Sequence, residues 1–251
     1  MSRSVYGLAV FALLAGTVPA HAKDLPKKIG YTFYQEGNRI GHSTIRTSRS
    51  PKGLVVMRST TTIQSPGPNL SVTSQTDVDP TNWTVRRFQW KGTVSGSPYK
   101  GDLTYDGVSY SGFMSQGGER VEESRTAGSP HVLFMQNYVP SHQIAIARAQ
   151  MASGKEAQGW EVLFPSSYSQ HKATVSIASN VLVESDKREV VCKKLVVKLQ
   201  GSSVFASYYD ESLGLPVYIV FPENGTEIFL DNFYGDDPIS RFVPKETGSG
   251  Q

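Results

Sequence analysis

The chain has 251 residues, of which 38% are hydrophobic and 19% charged. That is enough apolar material for one sizeable core, and too much for an intrinsically disordered chain. A net charge of +3, from 25 basic and 22 acidic residues, gives no electrostatic argument for a nucleic-acid partner, and the single Cys192 excludes an intramolecular disulfide or a cysteine-built zinc site.

Residues 1–22 read MSRSVYGLAVFALLAGTVPAHA: a positive start at Arg3, an apolar stretch from Leu8 to Val18, and the small-x-small box Ala20-His21-Ala22. Those three features in order make a secretory signal peptide, with an apolar run too short to span a bilayer stably. Cleavage after Ala22 leaves one β-rich domain over residues 23–251 and lowers the net charge to +2 by removing Arg3. No cysteine follows the box, so the signal is not that of a lipoprotein, and no later segment has membrane-spanning apolar length. The expected compartment is a bacterial periplasm. Three glycosylation triplets begin at Asn69, Asn82 and Asn224 and matter only in a eukaryotic host.

The mature chain begins with alternating Ile29, Tyr31 and Phe33, a Gly37-Asn38 turn, and a second extended run from Arg39 to Ile45. Strands are predicted at Leu54–Gln64, Leu70–Val78 and Trp83–Lys91, separated by Pro66-Gly67-Pro68 and Asp79-Pro80. Glycine-rich short hairpins follow, with strands at Gly101–Tyr105, Val108–Met114 and Glu119–Thr126. The pattern then changes. Ser129 and Pro130 predict a helix start leading into apolar Val132, Leu133, Phe134, Met135 and Tyr138, and Ser141 caps a second helix reaching about Ser153, with Gly154 as its stop. Strands resume at Trp160–Phe164, Lys172–Glu184, Glu189–Gln200, Ser203–Asp210, Pro216–Phe221 and Thr226–Phe233, and the tail from Lys245 is expected to be loose. Strands, a helix pair, then strands is not the βαβα order of a parallel sheet. It predicts a mainly β, antiparallel half-barrel or open barrel with a central pair of short helices.

Chemistry is harder to find. His131 and His142 stand 11 positions apart, which is no zinc spacing; they read as surface or helix-end histidines bonded locally. No G-x-S-x-G elbow, P-loop or dinucleotide fingerprint occurs, so no cofactor and no catalytic residue is assigned. Cys192 reads as a small filler within a strand, although Lys194 and Lys198 on its side could lower its pKa. Glu122-Glu123 and Asp236-Asp237 are adjacent acids that face opposite ways on an extended chain, so neither makes an acid/base pair. Aromatic residues carry more. Trp83 and Val85 alternate to one side of their strand, Phe88 and Trp90 to the other. A strand apolar on both faces either packs on both or turns one toward an apolar ligand, and alternation cannot distinguish the two.

Two segments carry a resemblance. The run from Tyr31 to Gly41, with Gly37 and Ile40-Gly41, resembles the opening of periplasmic DUF3108-like and DUF6134-like proteins. The run Tyr208-Tyr209-Asp210 to Gly214-Leu215-Pro216 is similar to their lead into the last hairpin. The order of elements also resembles the half-barrel of the lipoprotein carriers LolA and LolB. A further resemblance, to periplasmic β-spiral envelope proteins of the DUF1849 type, would imply a disulfide that the lone Cys192 cannot make. These likenesses bring no catalytic residues. They imply a curved sheet with helices in its mouth, holding a lipid or other hydrophobic small molecule, or serving another envelope protein. The residues expected to line that ligand site are Phe134, Tyr138, Ile144 and Met151 from the helices, meeting Trp90 and Tyr218 across the concave face. The other functions in view are a hydrolase or lyase with a polar site at the barrel mouth, and a structural partner joined through a sheet edge.

Overall fold

The computed structural model describes residues 24–64, 69–129, 131–136, 138–185, 188–233 and 245–246. The expected signal peptide over residues 1–22, the Pro66-Gly67-Pro68 break expected between strands, Pro130 and the Asp236-Asp237 pair lie outside them. The first half is a meander of eight strands: β1 (Lys28–Gln35), β2 (Asn38–Arg49), β3 (Val55–Ile63), β4 (Leu70–Val78), β5 (Val85–Val94), β6 (Ser97–Tyr105), β7 (Ser109–Gln116) and β8 (Glu119–Thr126). A short β9 (Val132–Phe134) and the helix α1 (Pro140–Ser153) follow. The second half runs through β10 (Ala157–Phe164), β11 (Ser169–Ser185), β12 (Arg188–Leu199), β13 (Ser202–Asp210), β14 (Leu215–Phe221), β15 (Thr226–Leu230) and a two-residue β16 (Lys245–Glu246).

Antiparallel pairing of β1 with β15 joins the two halves into one sheet in the order β8 through β1, then β15 down to β9. Every pairing is antiparallel except that of β9 with β10. Tight turns explain the meander. Glu36-Gly37, Ser95-Gly96, Gly117-Gly118 and Gln200-Gly201 all have positive φ at both central residues. Such two-residue turns match the right-handed twist of the strands they join. The first of them sits one residue earlier than the Gly37-Asn38 turn expected, since Asn38 already pairs with Gln35.

The sheet rolls up around α1, which packs against β9, β10, β13 and β14 of one arm and β4 of the other. It stays open, and the outer strands of the two arms share no ladder. The predicted helix pair is therefore corrected to one helix among the described residues. Val132, Leu133 and Phe134 instead pair in parallel with Glu161, Val162 and Leu163, giving β10 a partner on its free edge. Ser129 does cap, but its Oγ accepts the His131 N–H at 3.1 Å in a local turn. A short run apolar on every side suits a strand buried on both faces as well as a helix, and tertiary contact chose the strand. The helix is capped two residues earlier than expected, at Val139 rather than Ser141, with Pro140 at its first position, and Gly154 ends it at φ 66°.

A second correction concerns β5. Trp83 is not in a strand; it occupies a turn with φ 59°. The register places Val78 opposite Val85 but Asp77 opposite Arg87, so Arg86 is an extra bulged residue. The bulge brings Val85, Phe88 and Trp90 to one face, opposite Val78, Thr76 and Ser74, and all six are buried. This strand is thus apolar on its inner face alone. Lys245 and Glu246, expected in a loose tail, pair with Leu182 and Val181.

Phe134 and Ile144 are fully buried, Trp90 is almost so, and all three lie in the core. Trp90 stacks on Phe88 at 4.8 Å, and its indole lies across Gly101 of β6, where an added methyl would overlap the ring. Gly101→Ala should therefore cost about 1–3 kcal/mol of stability through displacement of Trp90. Gly159→Ala, at an exposed strand position with open space around it, should change stability by no more than about 0.5 kcal/mol. Urea unfolding of the two variants checks the contrast, which disappears if the indole is free to move.

Candidate functional site

Helix α1 has no apolar stripe. Ser141, His142, Gln143, Arg148 and Gln150 are as buried as Ile144 and Ala147. Buried polar groups need partners, and most of these have them. Ser141 Oγ meets Thr76 Oγ1 of β4 at 2.9 Å. Arg148 Nε donates to the Gly214 carbonyl at 2.8 Å, and its guanidinium lies 4.4 Å over the Trp83 ring. Gln150 donates to the Lys155 carbonyl at 2.7 Å and accepts from Trp160 Nε1 at 3.2 Å. Gln143 Nε2 reaches the Gln136 carbonyl at 3.4 Å.

His142 differs. Both ring nitrogens are buried and have no partner among the described residues. The ring lies edge-on to Phe88 at 4.3 Å and to Phe134 at 6.5 Å. Its expected role as a locally bonded helix-end histidine is corrected. Burial among aromatic rings disfavours the imidazolium and pushes its pKa down to about 3.

Beside this end of the helix, between β4–β7 and the segment leading into α1, lies a cavity of about 280 Å³. Leu70, Val72, Val94, Val139 and Phe164 supply apolar wall; Tyr99, Gln136 and Tyr138 supply polar groups. Gln136 Nε2 donates to Tyr99 Oη at 2.7 Å, while Gln136 Oε1 is buried and has no partner among the described residues. Tyr138 is half-buried at the wall, 6.0 Å from Phe33, and holds φ 61°, a conformation unusual for an aromatic residue.

Of the six residues expected to line a ligand site, Tyr138 alone lines this cavity. Phe134 and Ile144 pack in the core, and Trp90 sits behind the wall, 5.8 Å from Tyr99. Met151 is half-buried near the other end of α1. Tyr218 is on the opposite face of the sheet: it pairs with Phe229, whose partner in β1 is Thr32, whereas the helix side carries Ile219, Ile228 and Phe33. There its ring packs, tilted, against Phe229 at 4.8 Å and Tyr208 at 5.2 Å. Tyr99 and Gln136 were missed because one fell among glycine-rich turns and the other inside an expected helix. Tyr99's place in the alternation Tyr99, Gly101, Leu103, Tyr105 was a usable signal.

Cys192 is buried, as a filler would be. Glu122 and Glu123 pair with Arg120 and Arg125 on β8. No cluster of three metal-ligating side chains occurs among the described residues, and no helix there is long and apolar enough to cross a membrane.

No family model and no curated protein matches this chain. Among solved structures it is similar to the crystal structure of a beta-barrel-like protein of domain of unknown function DUF1849 from Brucella abortus. The likeness has a TM-score of 0.53, covers 81% of this chain and 94% of that one, and comes with 11% sequence identity. It shows a barrel-like fold. The DUF3108-like and DUF6134-like resemblance of the two end segments has no matching family model behind it.

The His142 pocket carries a pH signature. Between its ordinary pKa near 6.5 and the folded value near 3, the unfolded chain binds a proton that the folded chain refuses. Stability is therefore complete above about pH 6.5 and falls as the pH drops, by up to about 1.4 kcal/mol per pH unit from this residue. Unfolding free energies of wild type and His142→Phe, measured from pH 7 to pH 4, should diverge increasingly toward acid. Parallel curves would mean that His142 takes up its proton in the folded state.

Proposed function

We propose that this is an exported ligand-binding or envelope-maintenance protein that holds a hydrophobic molecule, such as a segment of a lipid acyl chain, in the cavity beside the N-terminal end of α1. The observation that carries the reading is the cavity's chemistry: apolar walls with a small convergent polar group at Tyr99 and Gln136. That combination is typical of small-molecule sites. The unpartnered Gln136 Oε1 would accept a hydrogen bond from a ligand hydroxyl or amide, the polar handle that fixes orientation. At about 280 Å³ the space is near the small end of ligand pockets, so it suits one chain rather than a whole diacyl lipid. Burial contributes about 2.5 kcal/mol per 100 Å² of apolar area, before ordering costs.

The proposed compartment is the periplasm, reached through cleavage after Ala22. N-terminal sequencing of the exported protein should read Lys23 first. Residues 1–22 retained on protein in the cytoplasm would overturn the compartment.

Binding is checked with a fluorescent fatty-acid probe and with native mass spectrometry of protein purified from its own envelope. Wild type should bind the probe saturably. Tyr138→Ala and Val94→Trp, which open and fill the cavity, should weaken the probe several-fold or more while leaving a cooperative unfolding transition. Phe134→Ala should do the reverse, costing about 3–5 kcal/mol of stability with the cavity wall still in place. No saturable binding by wild type, or unchanged binding by both cavity variants, would sink the reading.

A further inference from the structure

The outer face of the first arm carries a feature independent of the cavity. Cross-strand register aligns two rows of side chains over β2–β6. One runs Thr44, Thr60, Thr73, Lys91, Lys100; the other runs Arg46, Arg58, Gln75, Gln89, Asp102 and continues to Phe113 of β7. Together they line an open groove of about 900 Å³. Its length follows from strand spacing, roughly 20 Å across five strands.

Charge in this groove is arranged against the stability of the free sheet. Arg46 stands directly opposite Arg58, and Lys91 directly opposite Lys100, with all four exposed. Like charges at directly opposed positions destabilise a strand pair, so an ordinary solvated face alternates them with acids. The acid within the groove, Asp102, is already committed. Arg87 grips both its oxygens at 2.9 and 2.6 Å, and Gln89 donates to it at 2.9 Å. Those hydrogen bonds hold its carboxyl below the usual range, so it stays ionised and bound to Arg87 rather than to the groove cations.

We infer that this groove binds a linear, carboxylate-bearing polysaccharide along the rows of β2–β6. Carboxylates would meet Arg46, Arg58, Lys91 and Lys100, relieving both like-charge pairs. The floor between them includes the Thr44, Thr60 and Thr73 hydroxyls and the Gln75 and Gln89 amide oxygens, which suit sugar hydroxyls, while the two amide nitrogens already donate to Asp77 and Asp102. Single-stranded nucleic acid fits less well, because it needs free aromatic platforms for stacking. Neither aromatic residue of the groove is free: Trp90 is buried and stacked on Phe88 at 4.8 Å, and Phe113 is covered by the Arg120 guanidinium at 3.9 Å. A bilayer fits less well too, since the recessed floor carries hydroxyls and amides where an interfacial surface presents apolar side chains.

The test is isothermal titration of the mature protein with polygalacturonate, alongside neutral dextran, phosphatidylglycerol vesicles and single-stranded DNA. Polygalacturonate should bind, dextran should not, and added salt should weaken the complex. The double variant Arg58→Gln, Lys91→Gln removes one cation from each like-charge pair at exposed positions. It should unfold at the wild-type temperature or above, and should lose at least tenfold in polygalacturonate affinity. Absence of binding by wild type, unchanged affinity in the double variant, or tighter binding to vesicles or DNA than to polygalacturonate would overturn the inference.

Discussion

A helix buried on every side over its first 11 residues has to be enclosed, and the rest of this structure follows from that requirement. A single flat sheet covers one side of a helix. Enclosing the others takes a sheet long enough to curl, with twist accumulating strand by strand. Two antiparallel meanders supply the length, and the β1–β15 ladder makes them continuous. The helix in turn pins the two arms together through Thr76–Ser141 on one side and Arg148–Gly214 on the other.

The sheet's two free ends are managed differently. β8 is exposed almost throughout and carries Arg120–Glu122 and Arg125–Glu123 pairs. Charge on an edge strand discourages pairing with another chain. At the other end β9 is three residues long and fully buried, and its parallel pairing covers the edge of β10. The open roll thus ends in one charged edge strand and one short, buried one. The same openness leaves space between the first arm and the start of α1, where the chain has no helix or strand to fill it and a cavity remains.

Polar side chains on the helix decide where that space has chemical character. Those near its middle and C-terminal end are satisfied by carbonyls and by Trp160. At the N-terminal end, His142 and Gln143, with Gln136 just ahead of the helix, keep buried atoms that the described residues do not satisfy. Leaving a buried polar atom without a partner costs about 1–3 kcal/mol, a cost that a bound molecule with the right donor would offset at Gln136. Low polarity around His142 keeps it a neutral ring, which packs edge-on to Phe88 and Phe134 rather than carrying a proton.

Much of the secondary structure was legible in the sequence. Period-two alternation located most strands. The turns between them are equally local: Ser95-Gly96 and Gln200-Gly201 need positive φ, which glycine supplies at the second position of each. Gly154 ended the helix for a similarly local reason, whereas its start fell at Pro140 and not behind the expected cap Ser141. Facing and neighbourhood were not local. One extra residue at Arg86 turned Val85 onto the face of Phe88, and no count along a single strand reveals which partner residue the bulge skips. Val132–Phe134 became a strand because β10 offered an edge, 29 positions further on from Val132 at Glu161. Tyr218 fell on the outer face because its register is set through β15 and β1, from the opposite end of the chain. The cavity joins Leu70, Tyr99, Gln136 and Phe164. Backbone preference determined most of the elements, β9 excepted, since it acts over a few residues; contact across the rolled sheet alone decided the site, since it depends on which distant residues the roll brings together.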